Sequence, residues 1–289
     1  MTLQSAIEDL VHAFRQAGME DPQFEARQLI QECLQLTFAQ LMSQPDRELE
    51  PHKIAKLSDW KQKRVQGVPL AYLSLRRGFY KYEFAVEPGV LVPRPESELI
   101  VETSLRRMED EGIRARRGAD LGCGSGCIGL SLVAELSELE LWSADASAKA
   151  CEITRHNAAQ LGVETRVRVE NVKIEEWEPA DQAGQAVKFD LIVANPPYIA
   201  FGDPRVQASV AKYEPQEALF SGTTGLEALD TWSRWAFAHL NPGGVYVCEF
   251  GAGQSQDVQR IMQEAGFTSI QIDRDLAGHE RVASAFKGR

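Results

Sequence analysis

In the first third of the chain apolar residues return at helical intervals. From Leu3 to Phe14 they fall at Leu3, Ile7, Leu10, Val11 and Phe14, which predicts a helix with one buried face. Asp21-Pro22 then offers an N-cap followed by proline at the first helical position, and Phe24, Leu29, Ile30, Cys33 and Leu34 continue that second helix. Thr37 to Met42 and His52 to Val65 predict two more, the latter with Ile54, Leu57 and Trp60 on its apolar side. Residues 1–70 therefore read as a small all-α domain. Its basic cluster, Lys61, Lys63 and Arg64, fits a solvated helix face better than a binding patch.

Near Val68 the pattern changes. Phe79, Tyr80, Tyr82, Phe84 and Val86 are aromatic or β-branched with partial alternation, and Pro88-Gly89 closes the run, so residues 71–93 predict a β-hairpin linker. Pro95, Glu96 and Glu98 suit the start of a helix running to about Met108. Beyond Gly112, strand and helix patterns alternate. Strands are expected at Ala119–Leu121, Leu139–Ala144, Arg166–Glu170, Phe189–Ala194 and Val245–Phe250, with helices between them and two final strand-like segments at Thr268–Ile272 and Arg281–Phe286. This predicts an α/β domain over residues 94–289, a mostly parallel sheet with helices on both faces. One strand is weakly marked, since Arg116, Arg117 and Gly118 stand where apolar residues are expected.

The 289 residues carry a net charge of −11, which argues against a nucleic-acid substrate because binding phosphates calls for a basic face. Glu8 and Asp9 interrupt the first ten residues, so no secretory leader is expected, and no apolar run approaches membrane-spanning length. The five cysteines form no C-x-x-C pair, which fits reduced cytoplasmic thiols and no metal site.

Two stretches carry chemistry. Asp120-Leu121-Gly122-Cys123-Gly124-Ser125-Gly126 lies between a predicted strand and helix, where glycines permit a tight turn and close approach of a ligand. Gly124, Gly126 and Gly129 also satisfy G-x-G-x-x-G, so the glycines alone do not separate a nicotinamide cofactor from other adenosine ligands. Asp145 ends the next strand, at the spacing where an acidic side chain takes ribose hydroxyls. The second stretch is Asn195-Pro196-Pro197-Tyr198, directly after the apolar run 189–194. Pro197 has no N–H, which leaves the Pro196 carbonyl free; with the Asn195 side-chain carbonyl it can accept both hydrogens of a planar –NH2 group, and Tyr198 offers a flat face.

These residues resemble the S-adenosylmethionine-dependent methyltransferases, and the N-P-P-Y form resembles those that methylate a planar nitrogen. Pro69-Leu70-Ala71-Tyr72-Leu73, Val92-Pro93-Arg94-Pro95-Glu96, Tyr213-Glu214-Pro215 and Asp275-Leu276-Ala277-Gly278-His279-Glu280-Arg281-Val282 narrow the resemblance to the HemK/PrmC family. That resemblance covers essentially the whole chain. It implies a Rossmann-like domain with a seven-stranded sheet and transfer of a methyl group to N5 of the glutamine in the Gly-Gly-Gln loop of class 1 peptide chain release factors. Gly122, Cys123, Gly124, Ser125, Gly126 and Asp145 would bind S-adenosylmethionine, and Asn195 would lie between cofactor and substrate. Pro196, Pro197 and Tyr198 would complete the substrate pocket, with Asn195, Pro196 and Tyr198 carrying the catalysis. The all-α domain would recognise the substrate protein, and the enzyme would act as a cytoplasmic monomer.

One departure stands out. Where the family usually has Gly-Asp and then an apolar or aromatic residue after the third strand, this chain has Asn171-Val172-Lys173-Ile174, so the acidic or aromatic contact near the adenine is expected to be missing or to be rebuilt by Glu170 or Trp177. Other substrates stay open: a different glutamine, as on a ribosomal protein, or an exocyclic amine in nucleic acid. A cofactor-sensing module without catalysis is a further alternative, although it has no evident use for an amine cradle.

Overall fold

A computed structural model describes residues 1–288 of the chain. The helical periodicity of the first third is realised as α1 (Leu3–Gln16), α2 (Pro22–Leu34), α3 (Phe38–Ser43), α4 (Pro51–Val65) and α5 (Leu70–Ser74). Their starts follow from local chemistry. Thr2 caps α1 and Asp21 caps α2, each side chain accepting a backbone N–H of the first turn, and Thr37 with Gln40 forms a capping box on α3. Leu3, Leu10, Phe14, Leu29, Ile30, Leu57 and Trp60 form the core of this unit. The basic cluster is neutralised where it stands, Lys61 on Asp9 at 2.7 Å, Lys63 on Asp59 at 2.7 Å and Arg64 on Glu25 at 3.0 Å.

The chain divides into two units between Leu75 and Arg76. Residues 70–74 are helical rather than the start of a hairpin. The hairpin is shorter, β1 (Arg76–Phe79) paired antiparallel with β2 (Tyr82–Ala85). It belongs to the second unit, because Phe79 and Phe84 are buried in one of that unit's two cores.

The rest of the second unit runs α6 (Glu98–Asp110), β3 (Arg117–Leu121), α7 (Cys127–Glu135), β4 (Glu140–Asp145), α8 (Ala148–Gln160), β5 (Val167–Asn171) and β6 (Phe189–Ala194). Then come α9 (Ala208–Tyr213), α10 (Gln216–Leu219), α11 (Glu227–His239), β7 (Leu240–Glu249), α12 (Ser255–Ala265), β8 (Thr268–Arg274) and β9 (Glu280–Phe286). The seven strands order as β5-β4-β3-β6-β7-β9-β8, with β9 antiparallel to both its neighbours and the other pairs parallel. Alternation along the strands feeds two cores. Ile192 and Ala194 of β6 face the core shared with α11 and α12, while Leu191 and Val193 face the core shared with α6, α7 and α8. The polar start of β3 is explained by Asp190, whose Oδ2 accepts the N–H groups of Arg116 and Arg117 at 2.9 and 3.1 Å. The two short helices α9 and α10 carry too few turns to show a period, and sequence patterning does not predict them.

Candidate active site

The strand order reverses between β3 and β6, since the chain moves outward from β3 to β5 and then returns to β3's other side. Open α/β sheets bind ligands at such a point, outside the carboxyl ends of the strands. Register makes this concrete. Leu121 pairs with both Ala144 and Ala194, so the next residues of the three strands, Gly122, Asp145 and Asn195, stand side by side at one end of the sheet.

A cavity of about 450 Å³ opens there, within the range of small-molecule sites. Gly122, Cys123, Gly124, Ser125, Asp145, Asn195 and Pro197 line it, together with Lys173 and Trp232. Gly126, Pro196 and Tyr198 are not part of the lining. Gly122 and Gly124 have φ of +67° and +57°, and a β-carbon on Gly124 would meet nothing within 4 Å. The loop is fastened from behind. Thr154 donates to the Gly124 carbonyl at 3.1 Å, and Asn157 donates to the Ser125 carbonyl at 2.8 Å. Asn157 also exchanges two hydrogen bonds with the backbone of Ala85, tying the hairpin edge to the glycine loop.

Asp145 accepts the Gly124 N–H through Oδ2 at 2.9 Å and the Ser147 N–H through Oδ1 at 2.8 Å. Burial raises its pKa, against the pull of those two N–H groups. Behind the loop, Asp120 is fully buried, accepts the Gly129 N–H at 3.1 Å, and is carried up to about 7 by burial. Gly129 is needed there for space, because a β-carbon would stand 2.6 Å from Asp120 Oδ2.

The stretch from Asn195 to Tyr198 has its own support. Asn195 Nδ2 donates to Ser97 Oγ at 3.0 Å, Ser97 Oγ donates to Glu249 Oε2 at 2.5 Å, and Tyr198 Oη donates to Glu249 Oε1 at 3.0 Å. Glu249 is buried, and burial raises its pKa while Ser97 and Tyr198 oppose the rise. Charge on Glu249, and then burial, pushes the Tyr198 hydroxyl above its ordinary range, so it stays a donor. Nearby, the Val92-Pro93-Arg94-Pro95 and Tyr213-Glu214-Pro215 stretches are joined. Arg94 Nη2 meets buried Glu214 Oε1 at 2.5 Å, and Glu214 Oε2 accepts the Val92 N–H at 3.2 Å.

Two expectations about the adenine contact need correction. Trp177 is buried in the core, stacked on Trp235 with ring centroids 5.0 Å apart, and neither Trp177 nor Glu170 is among the residues lining the cavity. Trp177 follows a short turn after β5 that carries it over the sheet face instead of its edge. Asn171 does contribute, donating to the carbonyls of Asp145 and Ala146 at 2.9 Å each and so fixing the strand end that presents Asp145. Aromatic and apolar walls come instead from Trp232, Ile174 and Ile128. Ser97, Asn157, Trp232 and Glu249 carry no motif signal that sequence reading could use. All five cysteines are free and buried, and among the described residues no cluster of His, Cys, Asp or Glu is arranged to hold a metal ion.

Comparison with known proteins gives the family. Residues 5–74 match the PrmC N-terminal domain and residues 96–212 the methyltransferase small domain. The release factor glutamine methyltransferase of Neisseria gonorrhoeae is 37% identical over 90% of this chain and 92% of its own. That of Caulobacter vibrioides is 33% identical over 99% of this chain and 97% of its own. The chain belongs to the release factor glutamine methyltransferase family. The fold agrees: the crystal structure of a methyltransferase from Pyrococcus furiosus superposes with a TM-score of 0.52 at 17% identity, over 80% of this chain and 100% of that one.

As a member of that family the chain is a methyltransferase that uses S-adenosylmethionine, and the cavity suits such a ligand. Its glycine loop gives close backbone access, and Asp145 stands at the adjoining strand end. Asp145, Glu175, Glu217 and Glu227 outnumber Arg94 and Lys173 around it, which favours a ligand of net positive charge. Among the described residues no helix is long and apolar enough to cross a membrane.

Proposed function

We propose that this enzyme methylates N5 of the glutamine in the Gly-Gly-Gln loop of class 1 peptide chain release factors. The observation that carries this reading is the pair Asn195 and Pro197 on the wall of the same cavity as the glycine loop and Asp145, with the Asn195 carboxamide held by Ser97, which lines the same cavity. In this reading Gly122 to Ser125 and Asp145 hold S-adenosylmethionine, Asp145 toward the ribose hydroxyls, and Gly126 shapes the turn that follows. When bound, the cofactor supplies an electrophilic methyl group on a sulfonium centre.

A glutamine amide nitrogen is a poor nucleophile because its lone pair is shared with the carbonyl. Asn195 Oδ1 and the Pro196 carbonyl accept its two hydrogens, which concentrates electron density on nitrogen and orients it; Pro197 and Tyr198 confine the amide plane. Positioning and electrostatics therefore carry the rate, and the proton leaves after methyl transfer without a dedicated base. The enzyme works as a cytoplasmic monomer, its all-α unit recognising the protein substrate, without binding nucleic acid directly. A net charge of −11 and five buried free thiols support that setting.

The test is incubation of the full chain with S-adenosylmethionine and a class 1 release factor, followed by peptide mass spectrometry. A one-methyl gain on the Gly-Gly-Gln glutamine, abolished in Asn195→Ala, is expected. No gain on the release factor, with a gain on a ribosomal-protein glutamine or a nucleic-acid amine when either is supplied in its place, would overturn the substrate assignment.

A further inference from the structure

The cradle that presents Asn195 ends on a buried carboxylate whose role the reaction does not explain. Glu249 is the last residue of β7, and the pairing of Ala194 with Cys248 sets it beside Asn195 across neighbouring strands. Glu249 does not line the cavity, and its two oxygens are taken by Ser97 and Tyr198. We propose that Glu249 is a positioning residue that, through Ser97, fixes which end of the Asn195 carboxamide faces the substrate. The inference rests on Asn195 being the acceptor for the substrate amide.

A carboxamide has an oxygen end and an –NH2 end of nearly the same shape, so only its hydrogen-bond partners decide how it faces. Both Glu249 oxygens act as acceptors here, one from Ser97 Oγ and the other from Tyr198 Oη. The single Ser97 proton is therefore committed to Glu249, at 2.5 Å, and Ser97 Oγ has only acceptor capacity left. Asn195 must answer with its –NH2 end, as it does at 3.0 Å. Oδ1 is then the end left for the substrate, the polarity an amide N–H requires. With the order reversed, Ser97 would donate to Oδ1 and Asn195 would present N–H to the substrate N–H, two donors facing each other. Tyr198 strengthens the order by donating to the other Glu249 oxygen; burial works against the charged form, as does Glu96, while Ser97, Tyr198 and Arg281 favour it.

Glu249→Gln and Ser97→Ala test the relay, the first by allowing both polarities and the second by removing the link. Each is expected to lower kcat about tenfold while the Kd for S-adenosylmethionine stays within about twofold. The double variant should be no slower than the slower single, because both act through one atom, and Ser97→Thr, which keeps the hydroxyl, should restore most of the rate. Losses that multiply in the double variant, or full kcat in both singles, would overturn the proposal.

A second readout is independent of substrate. The 15N-labelled side-chain resonances of Asn195, identified by their loss in Asn195→Ala, should show one amide proton protected from exchange in the native protein and unprotected in Ser97→Ala. Equal exchange in the two proteins would refute the relay. If the native enzyme failed to methylate a release factor while this protection held, the substrate reading would fall and the relay would stand.

Discussion

The indole of Trp232 lies against Gly122 so closely that a β-carbon on Gly122 would stand 2.5 Å from its Cη2. Gly122 is thus held by two constraints, a φ of +67° and an aromatic wall. Gly122→Ala should weaken S-adenosylmethionine binding at least about tenfold by displacing the ring into the cavity, and cost about 1–2 kcal/mol of stability for the left-handed backbone. Titration calorimetry checks the first and urea unfolding the second. Adding Trp232→Ala should relieve the crowding but not the backbone cost.

Lys173 is a cation on the wall of the cavity proposed to take the net-positive cofactor. Lys173→Ala should tighten S-adenosylmethionine about threefold to tenfold, by removing repulsion at intermediate dielectric. The thioether product carries no net charge, so its Kd should move less than about twofold. Paired Kd measurements at low salt decide this, and equal shifts for both ligands would show that the charge of Lys173 is not felt at the sulfonium.

Asp120 ties the stability of the glycine loop to pH. Its carboxyl is carried up to about 7 by burial from an ordinary value of 3.8. Between those values the folded state keeps a proton that the unfolded chain has released, so this group's contribution falls as pH rises, by at most about 1.4 kcal/mol per unit. Asp120→Asn removes that slope. The stability of native protein relative to the variant should therefore decline from pH 4 to pH 7 and level off above it, as read from urea midpoints at several pH values.

Asn157 spends its carboxamide on three backbone groups, Ala85 N–H, Ala85 C=O and Ser125 C=O. Asn157→Ala leaves one buried and two half-buried backbone groups without this partner and should cost about 3 kcal/mol. Hydrogen exchange should show the Ala85 amide losing protection with the glycine loop, while the sheet interior stays slow.

Much of this protein is legible in the chain itself. Helical spacing at Leu3, Leu10 and Phe14, the Asp21-Pro22 start of α2 and the strand ending at Asn195 follow from period and from what proline forbids, and the structure places them where those rules do. Residues 70–74 and the segment holding α9 and α10 were not legible, because one or two turns of helix leave no repeating face. The expectation that Trp177 or Glu170 would rebuild the adenine contact failed for a different reason. Nothing local says which way a turn leaves a strand, and here it sends Trp177 onto Trp235.

The sequence by itself determined the longer helices and strands, the glycine turn and the Asn195-Pro196-Pro197 break, because each depends on periodicity, backbone freedom or hydrogen-bond capacity among nearby residues. Only the tertiary structure decided what stands behind them. Ser97 lies 98 positions from Asn195 and 152 from Glu249, and Asn157 lies 72 from Ala85. These contacts exist because β6 inserts between β3 and β7 and α8 packs beneath the loop, and no short-range pattern encodes the order in which strands join a sheet.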